Sequence, residues 1–171
     1  MIPEFTYIRA KSIRDALPHL AGDGARIQAG GTDLLGCMRD NIFGVKSVVS
    51  ISRLNDLKGI RKTAEGLRVG ALVTLTEIAE SPDINKFYPA LTQGAGSAAS
   101  PQLRNQGTFG GNLCQKPRCW YYRGEFHASE KEETAALRSR ARIITTVSWE
   151  DRDVTLFTLL TRLRPSSHIV R

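Results

Sequence analysis

Cysteine is scarce in this chain: three in 171 residues, at Cys37, Cys114 and Cys119, with no Cys-x-x-Cys pair. An odd count without paired spacing excludes a disulfide framework and gives a self-contained zinc site little basis. Long apolar runs are missing as well, none approaching the roughly 18 residues of a membrane span. The first twelve residues, MIPEFTYIRAKS, lack the apolar stretch of a secretory signal. The expected compartment is the cytoplasm, with no membrane partner. Glycine is unevenly placed along the chain. All fifteen glycines fall between Gly22 and Gly124, and residues 128–171 have none. Blocks of like charge are also absent. The 24 Lys and Arg against 17 Asp and Glu give a net charge of +7. Arg9, Lys11, Arg14, Arg26, Arg39, Lys46, Arg53 and Lys58 are nevertheless scattered, which reads as a solvated basic surface.

What is present suits one ordinary domain or two small lobes sharing an interface. Local signals alternate between strand and helix. Phe5–Ile8 reads as a short strand. Ser12–Leu20 reads as a helix with Ser12 as N-cap and Asp15 at the capping-box position. Arg26–Ala29 is a strand running into Gly30-Gly31-Thr32-Asp33, after which Leu34–Met38 looks helical. Ser47–Ile51 is a β-branched run and a strand. Gly59–Lys62 and Leu67–Gly70 form a hairpin-like pair around Gly66. Thr74 caps a helix with Glu77 three residues on, and Tyr88–Ala99 is a further helical stretch. This is an α+β pattern in two small lobes, 1–58 and 59–127.

Two loops carry the chemistry. In Ala29-Gly30-Gly31-Thr32-Asp33-Leu34-Leu35, adjacent glycines let the backbone approach an anion, and converging N–H groups can cradle a diphosphate. The simpler alternative is a tight turn in which Thr32 or Asp33 caps the next helix. The second stretch, Ser100–Leu113 (SPQLRNQGTFGGNL), is too polar and glycine-rich for core and reads as a loop able to wrap a polar ligand. Gly94–Ala99 fits the dinucleotide pattern G-x-G-x-x-A. It follows a helical stretch instead of a strand, and no acidic residue lies within about twenty positions downstream for a ribose, so it is rejected as such a site.

The pair AGGTDLL and SPQLRNQGTFGGNL, about seventy residues apart, resembles the flavin-binding medium subunits of molybdenum hydroxylases, the xanthine dehydrogenase and carbon monoxide dehydrogenase group. Phe5-x-Tyr7 and Gly70-Ala71-Leu72-Val73-Thr74 are similar to that family too, so the resemblance covers roughly residues 3–127. It implies a two-lobed PCMH/VAO-type FAD-binding domain with FAD between the lobes. Ala29, Gly30, Gly31, Thr32, Asp33 and Leu34 would wrap the diphosphate. Thr108, Gly110, Gly111 and Asn112 would add a second set of contacts, with Ser100 nearby. The implied role is electron transfer among iron–sulfur clusters, the flavin and an external acceptor. Substrate oxidation belongs to a large molybdenum-cofactor subunit, and a small iron–sulfur subunit completes the set. No side chain is expected to act as acid or base, since His19, His127 and His168 lack a convincing partner.

The segment Gln115–Arg123 (QKPRCWYYR) resembles a narrower branch, typified by the 4-hydroxybenzoyl-CoA reductase β subunit and periplasmic aldehyde oxidoreductase flavin subunits. There an inserted loop carries four cysteines around an additional four-iron cluster, and Cys119 matches the first ligand. No cysteine follows Cys119, so the cluster is not expected to assemble here. Passage to the periplasm on a partner's signal is the alternative localisation. Past His127 the chain departs from the family. Residues 128–171 carry eleven Ser or Thr and fourteen charged residues. With free choice among allowed codons, a one-nucleotide shift spells a string with two cysteines that ends HPSDTAPAL, as this subfamily does. The tail is therefore expected to be out of frame, leaving the second lobe incomplete, the family's C-terminal domain absent and FAD affinity weak. The competing reading is a basic single-stranded nucleic-acid-binding module with Trp120, Tyr121 and Tyr122 as stacking platforms. It leaves both glycine loops without a role, so no nucleic-acid partner is expected.

Overall fold

Val48 and Val49, in the middle of the β-branched run, become the centre of a parallel sheet. The computed structural model describes residues 2–64, 66–115 and 123. The sheet consists of β1 (Thr6–Arg9), β2 (Ala25–Gln28) and β3 (Ser47–Ser50), with β3 between the other two. Tyr7 and Arg26 both register with Val48, and Ile8 and Ile27 both register with Val49. Successive strand residues face opposite sides. Val49 therefore packs with Ala10 and with Ala16 of α1 (Ile13–Leu20), while Val48 packs with Val45 and with Met38 of α2 (Leu34–Arg39). Ser12 caps α1 as its sequence predicts, its Oγ accepting the Asp15 amide at 3.1 Å. The Asp15 carboxylate accepts the Lys11 amide at 2.8 Å, one position earlier than a capping box requires.

The chain then crosses through a 3-10 turn at Asn55–Leu57 into a hairpin, β4 (Ile60–Thr63) and β5 (Gly66–Val69), paired antiparallel. One face of the hairpin contributes Ile60, Leu67 and Val69 to a second core of Val73, Leu75, Ile78, Ile84, Ala95 and Ala98. The helices around that core are α3 (Leu75–Ala79), α4 (Pro82–Phe87), α5 (Pro89–Ser97), α6 (Pro101–Gln106) and α7 (Phe109–Leu113). A complete capping box starts α3: the Thr74 amide donates to Glu77 Oε2 at 2.6 Å, and the Glu77 amide donates to Thr74 Oγ1 at 3.1 Å. The Gly94–Ala99 pattern is spent on helix packing. A Cβ on Gly96 would sit 3.7 Å from that of Ala79, and Gly94 and Ala95 are buried.

One local expectation is corrected. Ser100–Leu113 is not one long loop but two short helices, each started by a side-chain cap. Ser100 Oγ accepts the Leu103 amide at 3.3 Å, and Thr108 Oγ1 accepts the Gly111 amide at 3.2 Å. A Ser-Pro start, with proline in the first turn where no N–H is needed, opens both α6 and the unforeseen α4. The fold is α+β: helices flank a parallel sheet in the first part of the chain and pack on a hairpin in the second.

Candidate functional site

β2 ends at Gln28, and the backbone turns through Ala29–Asp33 before α2 begins. Gly31 sits at φ +75°, a left-handed conformation that a side chain would strain. The helical ladder starts only where the Leu35 amide donates to the Gly31 carbonyl at 3.1 Å. The amides of Gly30, Gly31 and Thr32 precede it and meet no acceptor among the described residues. Asp33 flanks the helix without capping it, so the tight-turn alternative with Asp33 as cap does not hold. Below the loop, the Tyr7 hydroxyl donates to Gln28 Oε1 at 3.3 Å.

The second glycine-rich stretch lies against this turn. A Cβ on Gly30 would fall 1.8 Å from the Gln106 carbonyl oxygen, and one on Gly107 would fall 3.6 Å from Thr32 Oγ1. The two stretches therefore share one junction, with a cavity on either side of it. The larger, about 620 Å³, is lined by Gly30, Gly31, Thr32, Asp33, Leu35 and Gly36, by Arg39 and Asp40 at the far end of α2, and by Gln106 and Arg123. The smaller, about 330 Å³, is lined by Ala29, Ser52, Lys58, Thr74, Glu77, Asn105 and Thr108. At its rim the Thr76 hydroxyl donates to Asn105 Oδ1 at 2.6 Å and fixes that amide.

Of the residues singled out in the sequence, Ala29, Gly30, Gly31, Thr32, Asp33 and Thr108 reach one or other cavity. Leu34 turns inward onto the Met38, Val45 and Val48 cluster. Ser100, Gly110, Gly111 and Asn112 line neither cavity. Ser100 caps α6, and the Asn112 amide donates to the Thr108 carbonyl at 2.8 Å. Gly110 is a contact glycine, where a Cβ would lie 2.8 Å from that of Ala71. Cys119 and the Trp120–Tyr122 aromatics lie outside the described residues, as does the tail from residue 128. Sequence reasoning missed Asn105 and Gln106 as individuals, although both belong to the polar stretch it flagged. Lys58, Arg39 and Arg123 carry no local signal that could have found them.

Two ion pairs sit in the larger cavity. Arg123 Nη2 lies 2.8 Å from Asp33 Oδ1, with both side chains 20% exposed. Arg39 Nε lies 2.8 Å from Asp40 Oδ1, and Nη2 lies 3.3 Å from Oδ2. The Arg39 hydrogen bond holds the Asp40 carboxyl below its ordinary range, and Arg123 lowers it further by charge. Among the described residues no group of three His, Cys, Asp or Glu side chains could hold a metal ion. The donor set instead suits an extended polar anion: three backbone amides without acceptors at a Gly-Gly bend, with neutral side-chain amides beyond.

Comparison with known proteins places the chain among flavin-binding relatives. The xanthine dehydrogenase FAD-binding subunit of Escherichia coli is 38% identical over 111 residues, 64% of this chain and 38% of that protein. The aldehyde oxidoreductase FAD-binding subunit of Escherichia coli is 38% identical over 119 residues, 69% of this chain and 37% of that protein. Among solved structures, carbon monoxide dehydrogenase from Hydrogenophaga pseudoflava lacking the Mo-pyranopterin moiety superposes with a TM-score of 0.64. That match has 32% identity and covers 66% of this chain and 40% of that one. The chain thus spans about two fifths of the length of the relatives it matches. Residues 3–148 match the family described as FAD binding domain in molybdopterin dehydrogenase, and the chain belongs to that family.

Proposed function

We propose that the chain holds FAD across the junction of its two glycine-rich stretches and serves as the electron-transferring part of a molybdopterin-dependent oxidoreductase. The diphosphate would lie on the Gly30, Gly31 and Thr32 amides, with Gln106, Asn105 and Thr108 as further polar contacts. Ser100, Gly110, Gly111 and Asn112 are kept as candidates on the resemblance alone. Bound FAD supplies the redox chemistry through its ring system, and the protein's part is to bind, orient and shield it. The observation that carries the reading is the contact of Gly30 with Gln106, which makes one groove from stretches far apart in sequence.

Several relatives are named as medium chains or medium subunits, which supports partners of the same kind here: a large molybdenum-cofactor subunit and a small iron–sulfur subunit. No helix among the described residues is long and apolar enough to cross a membrane. The compartment we propose is the cytoplasm, or the periplasm as part of a complex.

FAD titrated into the purified full chain, followed by flavin fluorescence, tests the reading. Saturable but weak binding is expected, with little flavin retained on purification. Absence of saturable binding at millimolar FAD overturns the function, whereas stoichiometric flavin on purification overturns only the weak affinity.

A further inference from the structure

We propose that Arg123 is a positioning residue of the groove, which acts by cancelling the charge of Asp33 beside the anion-binding turn. The Asp33 carboxylate directly follows Gly30, Gly31 and Thr32, whose amides meet no acceptor among the described residues. Without Arg123, that carboxylate would set more negative charge at the entrance to a cradle meant for phosphates, and like charges at short range repel. Arg123 answers it at 2.8 Å, reaching back over ninety positions in the chain.

The charges of the larger cavity single out this pair. Among the described residues its ionic lining is Asp33, Asp40, Arg39 and Arg123, two of each sign. Arg39 and Asp40 are sequence neighbours that satisfy each other with two hydrogen bonds, and their side chains are 69% and 47% exposed. Solvent and salt screen such a pair strongly. At 20% exposure each, Asp33 and Arg123 are screened far less, so the presence of Arg123 weighs more on the field at the turn than that of Arg39. Arg123 thereby makes the groove selective for a ligand with a diphosphate, without itself having to touch one.

This inference rests on the FAD reading above, and a charge cycle separates the two. FAD would be titrated into the full-length wild type, R123Q, D33N, R123K and the double variant D33N/R123Q. Expected is a loss of about tenfold in FAD affinity for R123Q, which shrinks as salt is added. D33N alone should bind as well as wild type or better. The double variant should return to within about threefold of wild type, and R123K should stay within the same range. A merely structural pair would give the opposite pattern, with D33N as harmful as R123Q and no recovery in the double variant, and that result overturns the proposal. Equal binding by R123Q and wild type overturns it too. If the wild type itself fails to bind FAD, the functional reading falls instead, and the inference with it.

Discussion

Gly30 and Gln106 touch backbone to backbone, with no room between them for even a methyl group. The contact closes the groove between the parallel-sheet part of the chain and the helices that follow the hairpin. G30A must push these parts apart, since the obstacle is a carbonyl rather than a pliable side chain. A loss of about 2–4 kcal/mol in unfolding free energy is expected, together with loss of FAD binding. Gly36 is the control. A Cβ there meets nothing within 4 Å, and the residue lies inside α2. G36A should therefore stabilise by up to about 1 kcal/mol. Urea denaturation of both variants checks the contrast, and equal midpoints would sink the account of the junction.

The capping box at Thr74 and Glu77 starts the helix that walls the smaller cavity. T74A removes the hydroxyl that accepts the Glu77 amide, and a cost of about 1–2 kcal/mol is expected. E77A takes away the reciprocal carboxylate that the Thr74 amide and hydroxyl both reach. The two changes disrupt one unit, so the double variant should lose less than the sum of the singles. Thermal or urea unfolding of all three would measure the coupling, and strict additivity would argue against a shared box.

Asp40 supplies a pH signature. Its carboxyl titrates below the ordinary range, mainly through the hydrogen bond from Arg39. A depressed folded-state value means that the favourable contribution is present above the unfolded carboxylate value and fades as pH falls through the depressed one. NMR titration should find the Asp40 midpoint below that of a free aspartate, and R39Q should move it back up. A midpoint unchanged by R39Q would refute the assignment.

The family match runs to residue 148, past the expected departure at His127, and residues 128–171 make a prediction about nucleotides rather than atoms. If they are read out of frame, the codons for this stretch, shifted by one position, should spell a chain that contains two cysteines and ends HPSDTAPAL. Sequencing the coding DNA settles the matter, and codons unable to encode that string exclude the frameshift.

Much of the fold was legible because it is written locally. The β-branched run at Ser47–Ile51, the caps at Ser12 and Thr74 and the turn at Gly66 each point to the element that forms. The two short helices after Ser100 were not, because a segment dense in Gly, Asn and Gln has low helical propensity and is held by caps and tertiary contacts. Two Ser-Pro starts, at Ser81 and Ser100, were nonetheless on the page to be read. In the site, the glycine turn was legible because adjacent glycines have few other uses. Gln106 was hidden because it meets the turn through its carbonyl, a group every residue carries. Arg123 was hidden because its partner lies ninety positions away.

Thr74 and Thr108, each the cap of its own helix, also face each other as a β-bridge. The Leu75 amide donates to Gly107 and the Phe109 amide to Val73, at 2.9 and 2.7 Å. One wall of the groove is thus stitched along its length and cannot swing by itself. Where the chain passes from the parallel sheet to the hairpin, the Leu57 carbonyl is likewise held by the Leu72 amide at 2.8 Å.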